Sequence, residues 1–336
     1  MDSTTTDAVA ARDLAALAAA VREALQVRYE HPVVVVQPEH ERVAVLAGKP
    51  LELVREALDP ADAARVTELD PGDLPWFAVP VEGLQLWRQH GRVGETGELV
   101  TELESGDPPL QMVVLEQGWR LVRLLDGAQG WLSPDAPALD PLAAAASAST
   151  SPDLDDLRDT AKVDPLAFVA AALEYEGVEY VWGGTTARGV DCSGIVQRAA
   201  WRSAGCWLPR HSRALLRAGA RVKPSAIEAG ELAAGDVLVL QREKSTYAAE
   251  EQAQLEAQAA REQATGAVPS HGPAIHPMHV AIAISPTEAL HASRDAMCVV
   301  REPIATLRER YRVLGVRRLG PAPTELDQHD PKDSPA

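Results

Sequence analysis

The sequence has little of the positive charge that would favour a polyanionic partner. Its 336 residues include 32 Lys and Arg against 49 Asp and Glu, which gives a formal net charge of −17. Nucleic acid is disfavoured as a partner because Lys and Arg must neutralise its phosphates, and an anionic membrane is disfavoured for the same reason. We therefore interpret the acidity as a contribution to solubility, and we expect neither nucleic acid nor membrane as a partner.

Long apolar runs are also lacking, and no stretch could span a bilayer. The first 25 residues have no basic segment followed by an unbroken apolar one. Their Ala and Leu positions follow helical spacing and are interrupted by charged residues, which predicts an amphipathic helix rather than a signal peptide. If Met1 is the true start, we expect a cytoplasmic protein; a misplaced start would leave secretion open.

Cysteine is scarce, with three in the chain and no CxxC spacing, so a structural zinc site is not expected. Cys206 and Cys298 have apolar neighbours and are predicted to be small buried hydrophobic residues. Cys192 differs because it lies between an acid and a serine, after a glycine-rich turn and before an apolar run, in "YVWGGTTARGVDCSG" (180–194). That placement indicates a side chain presented to a ligand.

The length fits two or three domains. A Pro-, Ala- and Ser-rich stretch without periodicity marks a linker, and a polar Pro-rich end marks a disordered tail. We predict an N-terminal region of helix and strands over 1–75 and a small β domain over 76–137. A linker over 138–160, an α+β domain over 161–320 and the tail over 321–336 follow.

Short alternating apolar segments over 77–135, separated by Gly, Asp and Pro turns, predict a small antiparallel barrel. The segment "GDPPLQMVVLEQGWRLVRLLDGAQGWL" (106–132) resembles a bacterial SH3-like module, through its Gly-Asp turn and its two Gly-Trp pairs. A generic β meander is the alternative interpretation. Residues 1–75 are a candidate for a further SH3-like module.

The α+β pattern begins after the linker. A helix over 164–177 is closed by Gly177. A second helix begins at Cys192, is stopped by Gly205 and is predicted to be packed on one face, the face that carries its apolar residues. Strands are predicted over 235–240, 279–285 and 289–293.

Cys192 and two histidines form a candidate catalytic set. The thiolate is the reactive form of cysteine, and the positive end of a helix dipole stabilises it. His279 opens one predicted strand and His291 lies in the next, so they can sit side by side, one as proton acceptor and one orienting it. The spacing alone leaves open that each histidine is structural, with a satisfied hydrogen bond.

Five motifs in order, "YVWGG…DCSG", "LPRHS", "ELAAGDVLVL", "HVAIAIS…ALHAS" and "YRVLGVRRL", resemble the NlpC/P60 family of papain-like cysteine peptidases over roughly 162–320. The resemblance implies a helix bearing the cysteine, packed on an antiparallel sheet. It implies Cys192 as nucleophile, His279 as base and His291 as the orienting residue. It also implies that the Tyr180 hydroxyl lies near the oxyanion, beside a backbone N–H at the helix start. Neither metal nor cofactor is required.

The same resemblance implies hydrolysis of γ-D-glutamyl–diamino acid bonds in peptidoglycan-derived peptides. Relatives with SH3-like modules process free peptides with an N-terminal L-Ala, and Asp191 and Ser193 match their ammonium-binding positions; Asp191 could also cap the helix. The alternatives are a secreted endopeptidase acting on intact cell wall, a non-catalytic wall-peptide binding module, and an acyltransferase or amidase. The oligomeric state is not indicated.

Two further expectations concern the surroundings of the site. An insert over 241–278 replaces a short hairpin of the family and includes an Ala-, Glu- and Gln-rich segment that predicts a solvated helix. It is either a lid or a decoration. Trp182, in the YVWGG motif, is expected to belong to the core.

Overall fold

A computed structural model describes residues 14–21, 34–37, 41–46, 58, 60–69, 74–94, 97–142, 154–223, 225–242 and 278–321. The helix predicted in the insert lies outside these residues. So do the middle of the predicted linker, at 143–153, and the predicted tail beyond residue 321.

The N-terminal region contains helix α1 over 14–21. One face of α1 is buried at helical spacing, through Leu14, Leu17, Ala18 and Val21. The predicted amphipathic helix is thus confirmed over these residues. A short helix and a three-stranded sheet follow: β1 (Val34–Gln37), β2 (Arg42–Leu46), α2 (Pro60–Ala64) and β3 (Val66–Leu69). Strands β1 and β2 are antiparallel whereas β2 and β3 are parallel, and a further SH3-like module here stays a prediction.

Residues 76–132 form the β domain, a six-stranded antiparallel sheet in the order β4-β7-β8-β9-β5-β6. Its strands are β4 (Trp76–Phe77), β5 (Leu84–Trp87), β6 (Leu99–Leu103), β7 (Leu110–Glu116), β8 (Trp119–Arg123) and β9 (Gln129–Leu132). Apolar side chains of these strands form one buried cluster, as the alternating pattern predicts. Its classification as SH3-like stays a prediction.

Residues 154–321 form the C-terminal domain. Its helices are α3 (Leu154–Arg158), α4 (Pro165–Leu173), α5 (Cys192–Ala204), α6 (Ser225–Ala229) and α7 (Ile304–Arg310). Its strands are β10 (Thr185–Thr186), β11 (Gly189–Val190), β12 (Ala220–Val222), β13 (Asp236–Arg242), β14 (Met278–Ala283), β15 (Glu288–Ser293), β16 (Cys298–Pro303) and β17 (Tyr311–Arg318). The main sheet is antiparallel, in the order β12-β17-β13-β14-β15-β16. The three predicted strands are neighbours within it.

Helix α5 packs on β14 and β15, so the predicted fold class is confirmed: a helix bearing Cys192 lies against an antiparallel sheet. The helix ends where predicted, at Gly205, whose φ of 61° lies in the left-handed region that glycine favours. The prediction that only one face is packed is wrong, because residues 192–200 are all buried.

The β domain covers the other side of α5. Gln197, which the apolar pattern places away from the sheet, donates to the Leu208 carbonyl at 2.6 Å and lies 3.4 Å from a carboxylate oxygen of Asp126 in the β domain. Trp207, just after α5, joins the apolar core of the β domain. The two domains therefore share a core. Helix α3, within the predicted linker, also contacts the β domain, since Arg158 donates to the Leu125 carbonyl.

Candidate active site

Cys192 is the first residue of α5 and is 8% exposed. Asp191 caps the helix by accepting a 2.7 Å hydrogen bond from the Gly194 N–H. The preceding turn needs glycine at position 183, where φ is +78° and a Cβ atom would lie 2.2 Å from the Leu99 carbonyl oxygen of β6. The β domain therefore approaches the turn that leads directly into the cysteine.

The two histidines predicted to act together are in contact. A 2.9 Å hydrogen bond joins His279 Nε2 to His291 Nδ1, and both residues are buried. The ring of Tyr311 stacks on His279 with a centroid separation of 5.0 Å. The backbone N–H of Val280, the next residue along β14, hydrogen-bonds to the Cys192 thiol. The fold thus brings the N-terminus of α5 to the start of the strand that carries His279.

The contact chain continues to a residue that sequence reasoning missed. His291 Nε2 lies 3.1 Å from Glu302 Oε2, and Arg310 donates to the same oxygen. His291 pairs with Val300 across β15 and β16, so Glu302, two residues further along β16, lies on the same face of the sheet. The alternation of β16 is the one sequence signal that could have pointed to Glu302.

The Cys192 thiol is protonated at rest. Burial raises the pKa of this thiol to about 11, and the charge of Asp191 acts in the same direction. The Ser212 hydroxyl, 3.8 Å from the sulfur, the Val280 N–H and Arg210 lower it only in part. The helix N-terminus was expected to stabilise a thiolate, but burial and the capping carboxylate oppose it.

His279 is neutral at rest as well. Burial lowers its pKa well below the ordinary value; the positive charges of Arg310 and Arg242 add to this effect, as does any protonation of the neighbouring His291. Burial also lowers the pKa of His291, against the opposing effect of Glu302. The site therefore holds a neutral thiol and a neutral imidazole pair at neutral pH, and chemistry begins from those forms.

Tyr180 lies close enough to Cys192 for the two groups to interact electrostatically, and it is 8% exposed. Burial raises the pKa of its hydroxyl far above the ordinary range, so the group remains a hydrogen-bond donor. Its backbone is fixed by a 2.9 Å hydrogen bond from Tyr180 N–H to the Met297 carbonyl. Its predicted place near the oxyanion stays a prediction.

Asp191 is fully engaged within the protein. One carboxylate oxygen accepts from Gly194 N–H and the other from Gly183 N–H, at 2.7 and 2.9 Å. Arg210 donates to both oxygens, at 2.9 and 2.6 Å, and to the Ser193 hydroxyl at 2.9 Å. Arg210 belongs to the motif "LPRHS", but the sequence did not predict this role for it. The helix cap is observed, whereas ammonium binding by Asp191 and Ser193 stays a prediction.

Trp182 and Cys298 are less buried than predicted. Trp182 is 51% exposed and its indole N–H lies 3.3 Å from a carboxylate oxygen of Glu98, because β6 occupies the position behind the glycine turn. Cys298 opens β16, the edge strand of the main sheet, and is partly exposed. Cys206 is fully buried, as predicted.

A cavity of about 660 Å³ lies between the β domain and the β10–β11 hairpin, and Cys192 and the two histidines do not line it. Its charged lining comprises Glu82, Glu102, Glu104, Asp135 and Arg188. Among the residues described, no group of three or more His, Cys, Asp or Glu side chains is placed to hold a metal ion. None of the described helices is long and apolar enough to cross a membrane.

Comparison with known protein families finds one family model that matches part of the chain. Residues 177–250 match the family model described as the NlpC/P60 family. This range includes Tyr180 and Cys192 but ends before His279, within the predicted insert over 241–278. Only the fold shows that the two halves of the site meet.

Curated relatives also match over a short stretch of the chain. A protein named "Probable endopeptidase" from Mycobacterium tuberculosis is 42% identical over 74 residues, which are 22% of this chain and 19% of that protein. A gamma-DL-glutamyl hydrolase from Bacillus subtilis is 40% identical over 65 residues, 19% of this chain and 16% of that protein. The match thus spans about a fifth of the length of these relatives.

Among solved structures, an NlpC/P60 family protein from Bacillus cereus is similar to this chain. The similarity covers 74% of this chain and 65% of that one, with 20% sequence identity and a TM-score of 0.35.

Proposed function

Because this chain carries a domain of the NlpC/P60 family, we propose that it is a cysteine peptidase that hydrolyses amide bonds in peptides derived from peptidoglycan. One observation carries the proposal: Cys192 starts a buried helix beside strand β14, which supplies a backbone donor and the histidine that is hydrogen-bonded to His291 of β15. The names of the relatives, an endopeptidase and a gamma-DL-glutamyl hydrolase, support hydrolysis of an amide bond.

The reaction starts with a proton transfer, since both partners are neutral at rest. His279 Nε2 is occupied by His291, which leaves Nδ1 to accept the thiol proton. As the proton leaves, the Cys192 sulfur attacks the carbonyl carbon of the substrate. A carbon–sulfur bond forms and the π electron pair moves to the carbonyl oxygen.

Two donors would stabilise the oxygen that becomes negative. The Cys192 N–H, at the first position of α5, has no acceptor within the helix. The Tyr180 hydroxyl remains protonated because burial raises its pKa. The helix fixes the Cys192 N–H and burial restricts the Tyr180 side chain, so little reorganisation would be needed when charge develops.

The tetrahedral intermediate then collapses. The carbon–nitrogen bond breaks, and the leaving amine takes the proton held on His279. Water attacks the resulting thioester while His279 accepts a proton from it. The carbon–sulfur bond then breaks, the carboxylic acid product leaves, and the proton on His279 returns to the sulfur, which restores the thiol of Cys192. The cycle consumes one water, and atoms and charges balance without a metal.

The finer proposal is that the bond lies between γ-D-glutamyl and a diamino acid in a free peptide with an N-terminal L-Ala. It rests on the match of Asp191 and Ser193 to the family positions and on the β domain packed beside them. Since Arg210 already neutralises Asp191, an ammonium group would have to share this carboxylate with the guanidinium. Comparison of kcat/KM for the free and the N-acetylated peptide tests the point. Equal values would reject ammonium recognition.

Product analysis tests the function as a whole. We expect L-Ala-γ-D-Glu-diaminopimelate to be cut after the glutamyl residue, and intact sacculi to be cut much more slowly. Faster release from sacculi would instead indicate a wall endopeptidase. Binding of either material without any product would indicate a non-catalytic module. The Cys192→Ala variant is the matched blank in each assay.

A further inference from the structure

A line of hydrogen bonds extends from the catalytic base into the edge of the sheet. His279 Nε2 contacts His291 Nδ1 at 2.9 Å, and His291 Nε2 contacts Glu302 Oε2 at 3.1 Å. The three side chains come from three adjacent strands, β14, β15 and β16. Each ring nitrogen in the middle of this line therefore has one defined partner.

The far end of the line fixes the direction of every bond in it. The Glu302 carboxylate, held by Arg310, can only accept a hydrogen bond. His291 must then carry its proton on Nε2, which leaves Nδ1 as an acceptor. His279 must in turn carry its proton on Nε2, so its Nδ1 has a free lone pair. That is the tautomer needed to accept a proton from Cys192.

Glu302 is itself held in place. Arg310 bridges it to Asp295, with a 2.7 Å contact to the latter, and Arg242 contacts Asp295 at 2.9 Å. The carboxylate is only 20% exposed, so water competes weakly for the bond to His291. This network gives Glu302 one orientation toward the histidine pair.

We propose that Glu302 is a positioning residue that acts through His291 to keep His279 in its Nε2-protonated tautomer. This role rests on the proposed function for its catalytic meaning, but the tautomer itself can be measured without substrate. Without Glu302, His291 is free to carry its proton on Nδ1 instead. His279 would then carry its own proton on Nδ1 and lose the lone pair that accepts the thiol proton.

The direct test is the ¹⁵N NMR spectrum of the two histidine rings in the full-length protein, assigned with His279→Gln and His291→Gln variants. We expect both rings to be protonated on Nε2 at neutral pH. In Glu302→Ala we expect a mixture of tautomers at His279. A wild-type His279 protonated on Nδ1, or unchanged spectra in Glu302→Ala, would overturn the proposal.

Kinetics provides the second test. Glu302→Ala should lower kcat by about 10- to 100-fold and leave KM within about two-fold, since the residue orients the base and does not touch substrate. Glu302→Gln should recover most of that loss, because its amide oxygen can still accept from both His291 and Arg310. Equal losses in both variants would mean that only the charge matters and would contradict the tautomer role.

Glu176→Ala is the matched control. Glu176 pairs with Arg301, the residue just before Glu302, and both members of this pair are exposed. The loss of Glu176 breaks the ion pair of Arg301, which lies on β16 together with Glu302, and leaves the contacts of the histidines unchanged. The value of kcat should therefore remain within about two-fold. A loss as large as that of Glu302→Ala would assign Glu302 a structural role and overturn the proposal. If wild-type protein hydrolyses no amide while the expected tautomers are observed, the proposed function fails and the positioning role of Glu302 stands.

Discussion

Arg198, on the helix that presents Cys192, forms a buried ion pair with Asp107 of the β domain, each side chain being only 2% exposed. The same aspartate accepts a 2.7 Å hydrogen bond from Glu104 N–H, which holds its carboxylate in one orientation beside Arg198. The pair locks the far side of α5 to the β domain. The helix position, and with it the cysteine, therefore depends on both domains.

The first prediction concerns this pair. Asp107→Ala should lower the free energy of unfolding by about 3–5 kcal/mol, because it leaves Arg198 buried without its main partner. Arg198→Met should cost less, since Asp107 keeps its bond to Glu104 N–H and no buried cation remains. Urea unfolding of the three proteins measures the difference. A cost below about 1 kcal/mol for Asp107→Ala would contradict a buried pair.

The second prediction concerns the nucleophile. Cys192→Ala should lower kcat by at least about 10⁴-fold while the melting temperature changes little, because the thiol supplies the covalent step. Cys298→Ala is the control and should retain activity, since Cys298 lies on the edge strand β16. Hydrolysis by Cys192→Ala at the wild-type rate would exclude the thiol mechanism.

The third prediction separates the two histidines. His279→Ala should be as damaging as Cys192→Ala, because nucleophile and base act as one unit. His291→Ala should cause a loss about 100-fold smaller, since a base without its orienting partner still adopts the productive position part of the time. The measurement is kcat for the free peptide. Similar losses in both variants would contradict a merely orienting role for His291, and a larger loss in His291→Ala than in His279→Ala would make His291 the base.

The fourth prediction follows from the raised pKa of the Cys192 thiol. Burial raises this pKa to about 11, so the thiolate fraction is small at neutral pH and grows as pH rises. Alkylation of Cys192 by iodoacetamide, followed by mass spectrometry of the peptide that contains it, should accelerate about tenfold per pH unit between pH 7 and 10. A rate that is already maximal and flat from pH 5 to 8 would indicate a thiolate–imidazolium pair in its place.

The local elements around the site could be predicted from the sequence because their signals are local. The start of α5 follows from Asp191 as cap, and its end from Gly205 in a left-handed conformation. The strands of His279 and His291 follow from their apolar runs, and their order along the chain makes them neighbours in an antiparallel sheet. The prediction that the two rings touch is confirmed by the 2.9 Å bond between them.

Everything that depends on which surfaces meet was decided by the tertiary structure. The polar positions Gln197 and Arg198 indicate a solvent-facing side of α5, but the β domain covers that side and turns them into buried partners. Glu302 reaches the histidines only because β16 pairs with β15. The protonation state of Cys192 likewise follows from burial by distant segments, which outweighs the helix dipole that the sequence reveals. Periodicity and caps act within a few residues of the chain, whereas desolvation and ion pairing depend on contacts between residues far apart in sequence.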